Sequence, residues 1–286
     1  MKTETTQARP ILIIGAHAKT GHRVERRLHD LGIATRAVSR STDIPFDWQA
    51  PDTWRTALAG TRAAYITYQP DLAVEGADQT IANLAALTKE EGLEHLVLLS
   101  GRGEDGARRA ELALERSGLP WNVVRASWFM QNFSENFMIE GILGGELVLP
   151  AGDTPEPFID VDDIADVAVA ALTRPELRDR VFEVSGPEAL SFAECVARIS
   201  AATGYPIRYT QVPVDAYIEG MRAQGAPEAL QWLMRELFTV VFDGRNAQPA
   251  DGVRQALGRP AKGFDEYIRK AMASGAWDRA GMRKQA

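Results

Sequence analysis

The sequence predicts an α/β fold: a doubly wound parallel sheet with a smaller, mainly helical C-terminal lobe. Over the first two thirds of the 286 residues, apolar segments of strand length alternate with amphipathic helical segments. Such alternation is typical of a parallel sheet with helices on both faces. Residues 96–100, Leu-Val-Leu-Leu-Ser, are apolar almost throughout, which indicates a central strand covered on both sides. From residue 191 onward the pattern is mainly helical.

The predicted strands and helices alternate along the chain. Strands are predicted at residues 11–15, 33–39, 63–68, 95–100, 121–125 and 181–185, with a short strand-like piece near 206–212. Helices are predicted at about 20–31, 52–59, 74–91 and 104–117. Residues 126–142 read as a loop and helix rich in large apolar side chains, and 157–172 contain an alanine-rich helix. Ser191-Phe-Ala-Glu194 has the pattern of a capping box and opens the next helix.

This order of elements divides the chain into three predicted parts. Residues 1–9 form a flexible tail. Residues 10–150 form the sheet-containing domain, which also receives parts of 157–190, and residues 191–286 form the helical lobe. We expect the lobe to lie over the C-terminal edge of the sheet, because ligands bind at that edge in open α/β folds.

Composition excludes several classes of protein. The formal charge is −7 and no basic cluster of the kind that follows nucleic acid is present. No apolar run approaches the ~20 residues that span a bilayer, and the first ten residues lack the apolar segment of a signal peptide. These features and a single cysteine predict a cytoplasmic protein that binds neither nucleic acid nor a membrane. We expect that cysteine, Cys195, to be a buried, small apolar residue.

Residues 11–21, Ile-Leu-Ile-Ile-Gly-Ala-His-Ala-Lys-Thr-Gly, carry most of the functional information. An apolar strand ends at Gly15, and a helical pattern begins at Gly21. A glycine turn lets the backbone approach phosphate groups, and the helix start offers N–H groups and the positive end of a dipole. The spacing Gly15-x-x-Ala18-x-x-Gly21 has alanine where the usual pattern has its middle glycine. The segment predicts a site for a dinucleotide pyrophosphate.

The end of the second strand indicates which dinucleotide binds. Folds specific for NAD usually place an acidic residue there to accept hydrogen bonds from the ribose. This chain has Ser39-Arg40-Ser41 instead. A guanidinium beside two hydroxyls suits a ribose phosphate, because arginine offers paired donors to phosphate oxygens. We interpret the pattern as specific for NADP; the alternative is a solvated arginine at a strand end.

Three acidic residues precede the alanine-rich helix, at Asp160, Asp162 and Asp163. Carboxylates so closely spaced are able to bind a metal ion. The interpretation that we favour is N-capping together with favourable charge at a helix start. We therefore expect no metal site.

Seven segments occur in an order that resembles the NmrA-like branch of the atypical short-chain dehydrogenases/reductases. They are the glycine turn 13–21, Val-Ser-Arg-Ser at 38–41, Leu-Val-Leu-Leu-Ser-Gly at 96–101, Ser-Gly-Leu-Pro-Trp-Asn-Val-Val-Arg at 117–125, Ser-Trp-Phe-Met-Gln-Asn at 127–132, Pro-Phe-Ile-Asp-Val-Asp-Asp-Ile-Ala at 157–165 and Leu-Phe-Thr-Val-Val-Phe-Asp-Gly-Arg-Asn at 237–246. The last segment is similar to bacterial members grouped with an ergot-alkaloid-biosynthesis reductase subfamily.

The resemblance implies a Rossmann-type domain that binds NADP(H) beneath a substrate lobe. It further implies an NADPH-dependent oxidoreductase that reduces a small activated electrophile such as a quinone, an enone or an imine. The alternative is a regulatory protein that senses NADP(H) without turnover, and the family leaves room for a homodimer. The cofactor-binding residues implied are Gly15, His17, Ala18, Lys19, Thr20, Gly21, Ser39, Arg40, Ser41, Asp47, Trp48, Tyr68, Gln69, Ser100 and Gly101.

One feature of the related reductases is missing. Their helix after the fourth strand carries Tyr-x-x-x-Lys, in which the lysine lowers the pKa of a proton-donating tyrosine. Residues 102–117 contain neither residue type, and Ala107 stands about where the lysine falls. Arg108 or Arg109 replaces the lysine, or both are surface cations beside acidic neighbours. We expect direct hydride transfer assisted by Ser100, Arg109 and Asn132, with no single indispensable proton donor.

The substrate pocket is expected around the segment that follows the fifth strand and on the C-terminal lobe. For Trp128 and Phe129 a core position is an equally good interpretation, because aromatic stripes are often core. The predicted pocket residues are Trp128, Phe129, Gln131, Tyr217, Trp232 and Phe238.

Overall fold

A computed structural model describes residues 9–135 and 137–279. The chain divides into two compact units. The first comprises the chain up to Gly101 together with Asp105–Arg125 and Ile164–Phe182. The second comprises Arg102–Glu104, Ala126–Asp163 and the chain from Glu183 onward. The two units interleave along the sequence, and residues 126–163 group with the C-terminal part of the chain.

The strands form a six-stranded sheet and a two-stranded sheet. The six-stranded sheet has the order β2-β1-β3-β4-β5-β7, and β1 lies parallel to β2 and β3, as β3 does to β4. The small sheet pairs β6 with β8 in parallel. The strands are β1 (Ile11–Ile14), β2 (Thr35–Val38), β3 (Ala63–Ile66), β4 (His95–Gly101), β5 (Trp121–Ala126), β6 (Glu146–Leu149), β7 (Arg180–Val184) and β8 (Arg208–Gln211). The predicted doubly wound parallel sheet is confirmed.

Twelve α-helices occur in the described residues, with single 3₁₀ turns at Pro51–Thr53 and Pro175–Leu177 and a π-helix at Leu237–Val241. The helices are α1 (Gly21–Asp30), α2 (Trp54–Leu58), α3 (Ala77–Glu90), α4 (Asp105–Glu115), α5 (Asn132–Glu135), α6 (Met138–Gly144), α7 (Val161–Thr173), α8 (Phe192–Thr203), α9 (Val214–Ala223), α10 (Glu228–Glu236), α11 (Gly252–Leu257) and α12 (Phe264–Ala273). The four helices predicted before residue 120 are confirmed, with bounds that differ by a few residues.

The core of the first unit lies on both faces of the sheet. All four residues of β1 and all four of β3 are buried, as central strands of a parallel sheet require. Side chains at alternate positions of β1, β3 and β4 join those of α2, α3 and α4 in one hydrophobic cluster, which includes Leu12, Ile14, Leu96, Leu98, Leu84 and Leu114. The turns at the C-terminal edge of the sheet therefore follow strands that are packed on both faces.

The core of the second unit contains a cluster of aromatic side chains. Phe133, Phe158, Phe192 and Phe264 are all at most 2% exposed and pack edge-on or tilted, with ring centroids 5.1–6.3 Å apart. Cys195 is fully buried beside them, as predicted, and burial raises the pKa of its thiol. The cysteine is therefore a packing residue.

The capping interactions predicted at the starts of α7 and α8 are confirmed. Ser191 and Glu194 form the predicted capping box at the start of α8. At the start of α7, Asp160 Oδ1 accepts a hydrogen bond from the Asp162 N–H at 2.9 Å, which confirms the capping interpretation. Asp163 accepts from the Lys262 ammonium at 2.6 Å. In the described part of the chain, no group of acidic, histidine or cysteine residues is arranged to hold a metal ion.

Strand β6 is an element that the sequence pattern does not predict. Strand β6 falls between glycines 144–145 and a proline-containing loop, and no strand was predicted there; its pairing with β8 selects the extended conformation. Of the helices that the structure describes, none is long and apolar enough to cross a membrane.

Candidate functional site

The turn between β1 and α1 depends on two glycines. Gly15 has φ +96°, a left-handed conformation, and a Cβ atom there would lie 2.1 Å from Thr67 Oγ1. A Cβ atom on Gly21 would lie 2.0 Å from the carbonyl oxygen of Gly15. The motif glycines are thus required by the packing of the turn itself, before any ligand binds. The turn leads into the N-terminus of α1, whose first N–H groups lack partners within the helix.

Ala18 occupies the middle position of the motif. Its N–H donates to the carbonyl of Gly15 at 2.9 Å, so the turn closes without a third glycine. Its methyl group is accommodated at the wall of a cavity. The departure from the usual glycine pattern therefore leaves the turn intact.

That cavity, of about 580 Å³, lies in the first unit at the C-terminal ends of β1, β2 and β3. It lies where open α/β sheets bind their ligands. Nine of the residues predicted to bind the cofactor line it: Gly15, His17, Ala18, Ser39, Arg40, Ser41, Asp47, Trp48 and Gln69. Sequence segments that are up to 54 residues apart thus meet around one space.

Six other predicted cofactor residues lie outside the lining of this cavity: Lys19, Thr20, Gly21, Tyr68, Ser100 and Gly101. Thr20 is buried at the start of α1, and Gly21 packs on the backbone of Gly15. Tyr68 packs against Trp48, with ring centroids 4.7 Å apart. Gly21 and Tyr68 thus pack against two residues that line the cavity, Gly15 and Trp48.

Sequence reasoning missed six lining residues: Ile14, Val38, Phe46, Gln49, Thr67 and Pro70. Ile14 and Val38 end their strands, so the rule that parallel strands present their C-terminal ends to one edge would have found them. Thr67 follows β3, and its hydroxyl donates to the carbonyl of Ile14 at 2.9 Å. It ties the end of β3 to the end of β1 beneath the turn.

Arg40 is the cationic side chain of this cavity. It is exposed, and within residues 9–135 and 137–279 no carboxylate forms an ion pair with it. Ser39 and Ser41 flank it, with their hydroxyl oxygens 3.3 Å apart. The acidic lining residue, Asp47, accepts from the N–H of Gln49 at 3.0 Å. An unpaired guanidinium beside two hydroxyls is a favourable place for an anion.

Trp48 packs within the first unit and also lines the cavity. Its ring packs against Phe46, Trp54 and Tyr68 at centroid distances of 4.9, 5.8 and 4.7 Å, and its Nε1–H donates to the carbonyl of Thr67 at 3.2 Å. A ring held on several sides presents a fixed flat surface to a ligand.

The three predicted catalytic residues lie in different environments. The Ser100 hydroxyl donates to Glu111 Oε1 at 2.6 Å, and both residues are buried. Arg109 is exposed on α4, and Asn132 is the half-buried first residue of α5. The Ser100 hydroxyl proton is therefore used in a hydrogen bond within the first unit.

Glu111 is the centre of that network. Arg125 Nε donates to Glu111 Oε1 at 2.9 Å, and Arg108 donates to Oε2 at 3.0 Å. Burial acts to raise the pKa of Glu111, but the hydrogen bonds from Arg125 and Ser100 outweigh it and the pKa is lowered. Arg108 also pairs with Glu115 at 2.5 Å, so it is one of a set of helix-surface ion pairs.

The predicted pocket residues all belong to the second unit. Trp128, half-buried, packs against Phe192, Phe238 and Phe242 with ring centroids 5.3–5.9 Å apart, and Tyr217 packs on Phe238 at 5.9 Å. Phe129 is half-buried and pairs through its backbone with Ile159. Trp232 is 45% exposed on α10. The cluster of Trp128, Tyr217 and Phe238 thus gathers three of the six residues.

Gln131 has a structural role in addition to any contact with a ligand. Its amide donates to Asp160 Oδ1 at 2.7 Å and accepts from the N–H of Val161 at 2.9 Å. It thereby connects the segment that carries Trp128 to the start of α7.

A buried carboxyl group beside this segment was missed. Glu156 is 2% exposed, and its Oε1 lies 3.4 Å from the N–H nitrogen of Trp128. Burial raises its pKa to about 7, although Trp128, Arg102 and Ser127 act in the opposite direction. In the sequence Glu156 stands between two prolines, which is typical of an exposed loop. The backbone pairing of Glu156 with Leu190 buries it, and no local pattern indicates that pairing.

Comparison with known proteins assigns the family. A family model described as the NmrA-like family matches residues 7–268. The chain belongs to the NmrA-like family. An NAD(P)H azoreductase of Xenophilus azovorans is 30% identical, over 92% of this chain and 98% of that protein. A festuclavine dehydrogenase of Aspergillus fumigatus is 27% identical, over 92% of this chain and 98% of that one.

A solved structure shows that the fold is shared. The triphenylmethane reductase of Citrobacter sp., complexed with NADP(H), superposes with a TM-score of 0.72 and 16% identity, over 92% of this chain and 99% of that one. At this identity the similarity concerns the fold alone. The family resemblance drawn from the order of the motifs is confirmed, and an ergot-alkaloid-type dehydrogenase is among the relatives.

Proposed function

We propose that this member of the NmrA-like family is an NADPH-dependent oxidoreductase that transfers a hydride to a small activated electrophile, such as a quinone, an enone or an imine. The observation that carries the proposal is the cavity at the ends of β1, β2 and β3, with the unpaired Arg40 between two serine hydroxyls. The NAD(P)H azoreductase relative, similar over nearly its full length, supports a reductase.

The lining residues fit NADP(H) in size and chemistry. A cavity of about 580 Å³ accommodates the adenosine half of a dinucleotide, and Gly15 contributes only backbone to its lining. The start of α1 offers N–H groups to the pyrophosphate, and Arg40 offers paired donors to the ribose phosphate. Trp48 gives the adenine a flat surface, and Asp47 lies beside it in the lining.

NADPH supplies the hydride, and the protein supplies position and a water-poor surrounding. Within α4, the described helix that would hold a Tyr-x-x-x-Lys pair, neither residue type occurs. Reduction of an electrophile that accepts a hydride readily does not need that pair to polarise it. The aromatic cluster of Trp128, Tyr217 and Phe238 would pack on a flat, largely apolar substrate.

A second candidate is a regulatory protein that senses NADP(H) without turnover. The observation that favours it is the commitment of the Ser100 hydroxyl to Glu111, which together with the composition of α4 leaves this part of the first unit without a free polar side chain for acid catalysis. Both candidates require the same nucleotide site, and they differ in whether an acceptor oxidises NADPH.

The test is a panel of acceptors. Purified protein is mixed with NADPH and, in turn, a quinone, an enone, a cyclic imine and an azo dye, and the loss of NADPH absorbance is followed. We expect sustained oxidation with at least one class. Tight NADPH binding without oxidation by any of them would favour the sensing protein.

A further inference from the structure

Arg40 lies in a turn that the chain closes on itself within the first unit. The turn follows β2 and runs from Ser39 to Phe46, where the N–H of Phe46 donates to the carbonyl of Ser39 at 2.9 Å. Ile44 and Phe46 pack on the hydrophobic cluster of this unit, and Phe46 is 3% exposed. The base of the turn is therefore fixed to the core, whereas Arg40 and Ser41 at its tip are exposed.

The hydroxyl group of Thr42 connects the two sides of this turn. Its Oγ1 accepts a hydrogen bond from the N–H of Ser39 at 2.8 Å. Its proton faces two carbonyl oxygens, that of Ser39 at 2.9 Å and that of Ile44 at 2.8 Å. Thr42 is half-buried and lies outside the lining of the cavity. One side chain thus links the residue that precedes Arg40 to the residue at which the turn enters the core.

The same turn holds the serine hydroxyls on either side of Arg40. Ser39 Oγ accepts from the N–H of Ser41 at 3.2 Å and lies 3.3 Å from Ser41 Oγ. A phosphate oxygen only accepts hydrogen bonds, so both hydroxyls can direct their protons to one phosphate group. The Arg40 guanidinium adds charge-assisted donors. The turn therefore presents donor side chains from three consecutive residues to one anion.

We propose that Thr42 is a positioning residue for coenzyme choice: its hydroxyl holds Ser39, Arg40 and Ser41 in the arrangement that binds the 2′-phosphate of NADP(H). This inference rests on the proposed function, which assigns that phosphate to Arg40. A turn that is ordered before binding loses less conformational entropy when the ligand binds, so more of the strength of its hydrogen bonds appears as affinity. Without the Thr42 hydroxyl, the phosphate itself would have to order the three donors.

A second threonine holds the neighbouring part of the cavity in a similar way. Thr53 Oγ1 accepts from the N–H of Asp47 at 3.0 Å and donates to the carbonyl of Ala50 at 2.7 Å. The loop that it closes carries Trp48, to which the proposed function assigns the adenine. NAD and NADP share the adenine and differ in the 2′-phosphate alone. Thr42 and Thr53 are therefore a matched pair, because only the first acts on the group that distinguishes the two coenzymes.

The test uses two fragments that differ by one phosphate group, adenosine 2′,5′-bisphosphate and adenosine 5′-monophosphate. Both carry the adenine, the ribose and the 5′-phosphate, so both address the cavity of the first unit. Isothermal titration calorimetry of the full chain gives the two affinities, and their ratio is the discrimination. Titration at pH 8 keeps the 2′-phosphate doubly charged, because the second pKa of a phosphate monoester is about 6.

Thr42→Val replaces the hydroxyl by a methyl group and removes the hydrogen bonds that close the turn. We expect it to weaken binding of the bisphosphate by ~10-fold and of the monophosphate by less than about 2-fold. Thr42→Ser retains a hydroxyl and should retain the discrimination. Thr53→Val should leave the discrimination unchanged, because any loss applies to both fragments. Thr80→Val removes a hydroxyl that donates to the carbonyl of Gly76 in α3 at 3.0 Å, and it should change neither affinity.

A double variant separates positioning from general support of the fold. If Thr42 acts through Arg40, Thr42→Val should weaken binding of the bisphosphate much less in an Arg40→Ala protein than in the unmodified one. The same loss in both backgrounds would overturn the positioning role. Equal losses of the two fragments in Thr42→Val, or an unchanged discrimination, would overturn it as well and leave the assignment of the phosphate to Arg40 intact.

The unmodified protein separates this inference from the proposed function. If it binds the two fragments equally well, or binds neither, the phosphate assignment fails and the role of Thr42 fails with it. If it discriminates between them through Thr42 but oxidises no NADPH with any acceptor, the role of Thr42 is supported and only the reductase proposal is overturned.

Discussion

The glycine turn of the first unit and the Trp128 segment of the second unit are built in different ways. In the turn, Gly15 and Gly21 are six residues apart and pack directly against each other. The spacing of the two glycines in the sequence therefore predicts their contact. In the Trp128 segment, Glu156 and Ser127 are 29 residues apart in the sequence, and they lie close together where Ile159 pairs with Trp128 and Met130. A short motif specifies the glycine turn, whereas the environment of Glu156 depends on contacts between distant segments. The following predictions test this difference.

The largest expected effect is that of Gly15→Val. The Cβ atom would collide with Thr67 Oγ1, and the backbone has φ +96°, so we expect a loss of about 3 kcal/mol or more in the free energy of unfolding and loss of nucleotide binding. Urea unfolding and NADPH titration measure the two effects. Gly60→Val is the control: Gly60 has φ +74° but no atom within 4 Å of an added Cβ, so only about 1–2 kcal/mol should be lost.

A Gly15→Val protein as stable as the Gly60→Val protein and still able to bind NADPH would show that the turn tolerates a side chain. The pyrophosphate site would then have to lie elsewhere.

The next effect concerns the pH dependence of stability in the second unit. Burial raises the pKa of Glu156 from an ordinary value of 4.5 to about 7. Its stabilising contribution is therefore fully present below pH 4.5 and is lost as the pH rises to about 7. The stability of Glu156→Gln relative to the unmodified protein should increase by about 3 kcal/mol over this range and then stay constant. Urea unfolding of both proteins at a series of pH values measures the difference, and a difference that does not change with pH would mean that Glu156 is solvated.

Arg40→Ala should have a smaller and more specific effect. The variant should lose about 1.5–3 kcal/mol of affinity for NADP, as for a charge-assisted hydrogen bond, and much less for NAD. Titration of both nucleotides against both proteins gives the comparison. Arg26→Ala, which removes an exposed cation of α1, should leave both affinities unchanged. Equal losses for NADP and NAD in Arg40→Ala would contradict the assignment of the ribose phosphate to Arg40.

The smallest effects are expected for the residues first considered catalytic. Ser100→Ala, Arg109→Ala and Asn132→Ala should each lower turnover by ~10-fold to ~100-fold, through positioning rather than acid catalysis. We expect Ser100→Ala to lower turnover more than Arg109→Ala, because Ser100 is buried against Glu111 whereas Arg109 is exposed. Single-turnover rates with nucleotide affinity measured in parallel separate the two causes. Complete loss in any one variant, with NADPH still bound, would identify that residue as an essential acid.

Most of the first unit could be predicted because its signals are local. Strand β1 ends in the glycine turn within a few residues, β1 and β3 are continuous apolar segments, and helices α1 to α4 begin and end close to their periodic patterns. The family could be read from the order of the motifs for the same reason. The lining residues that were missed, such as Thr67 and Pro70, belong to the loop after β3. The position of this loop at the cavity follows from the order of the strands in the sheet, which cannot be read from the sequence.

By itself the sequence determined the alternating α/β pattern, the glycine turn, the arginine and serines after β2 and the lack of a Tyr-x-x-x-Lys pair in α4. Each of these is a matter of residue type at short spacing. Only the tertiary structure decided which polar groups lose their water. Packing commits the proton of Ser100 to Glu111, and the pairing of Glu156 with Leu190 buries an acid that stands between two prolines. Burial depends on contacts between distant segments, and burial sets whether a carboxyl group holds its proton.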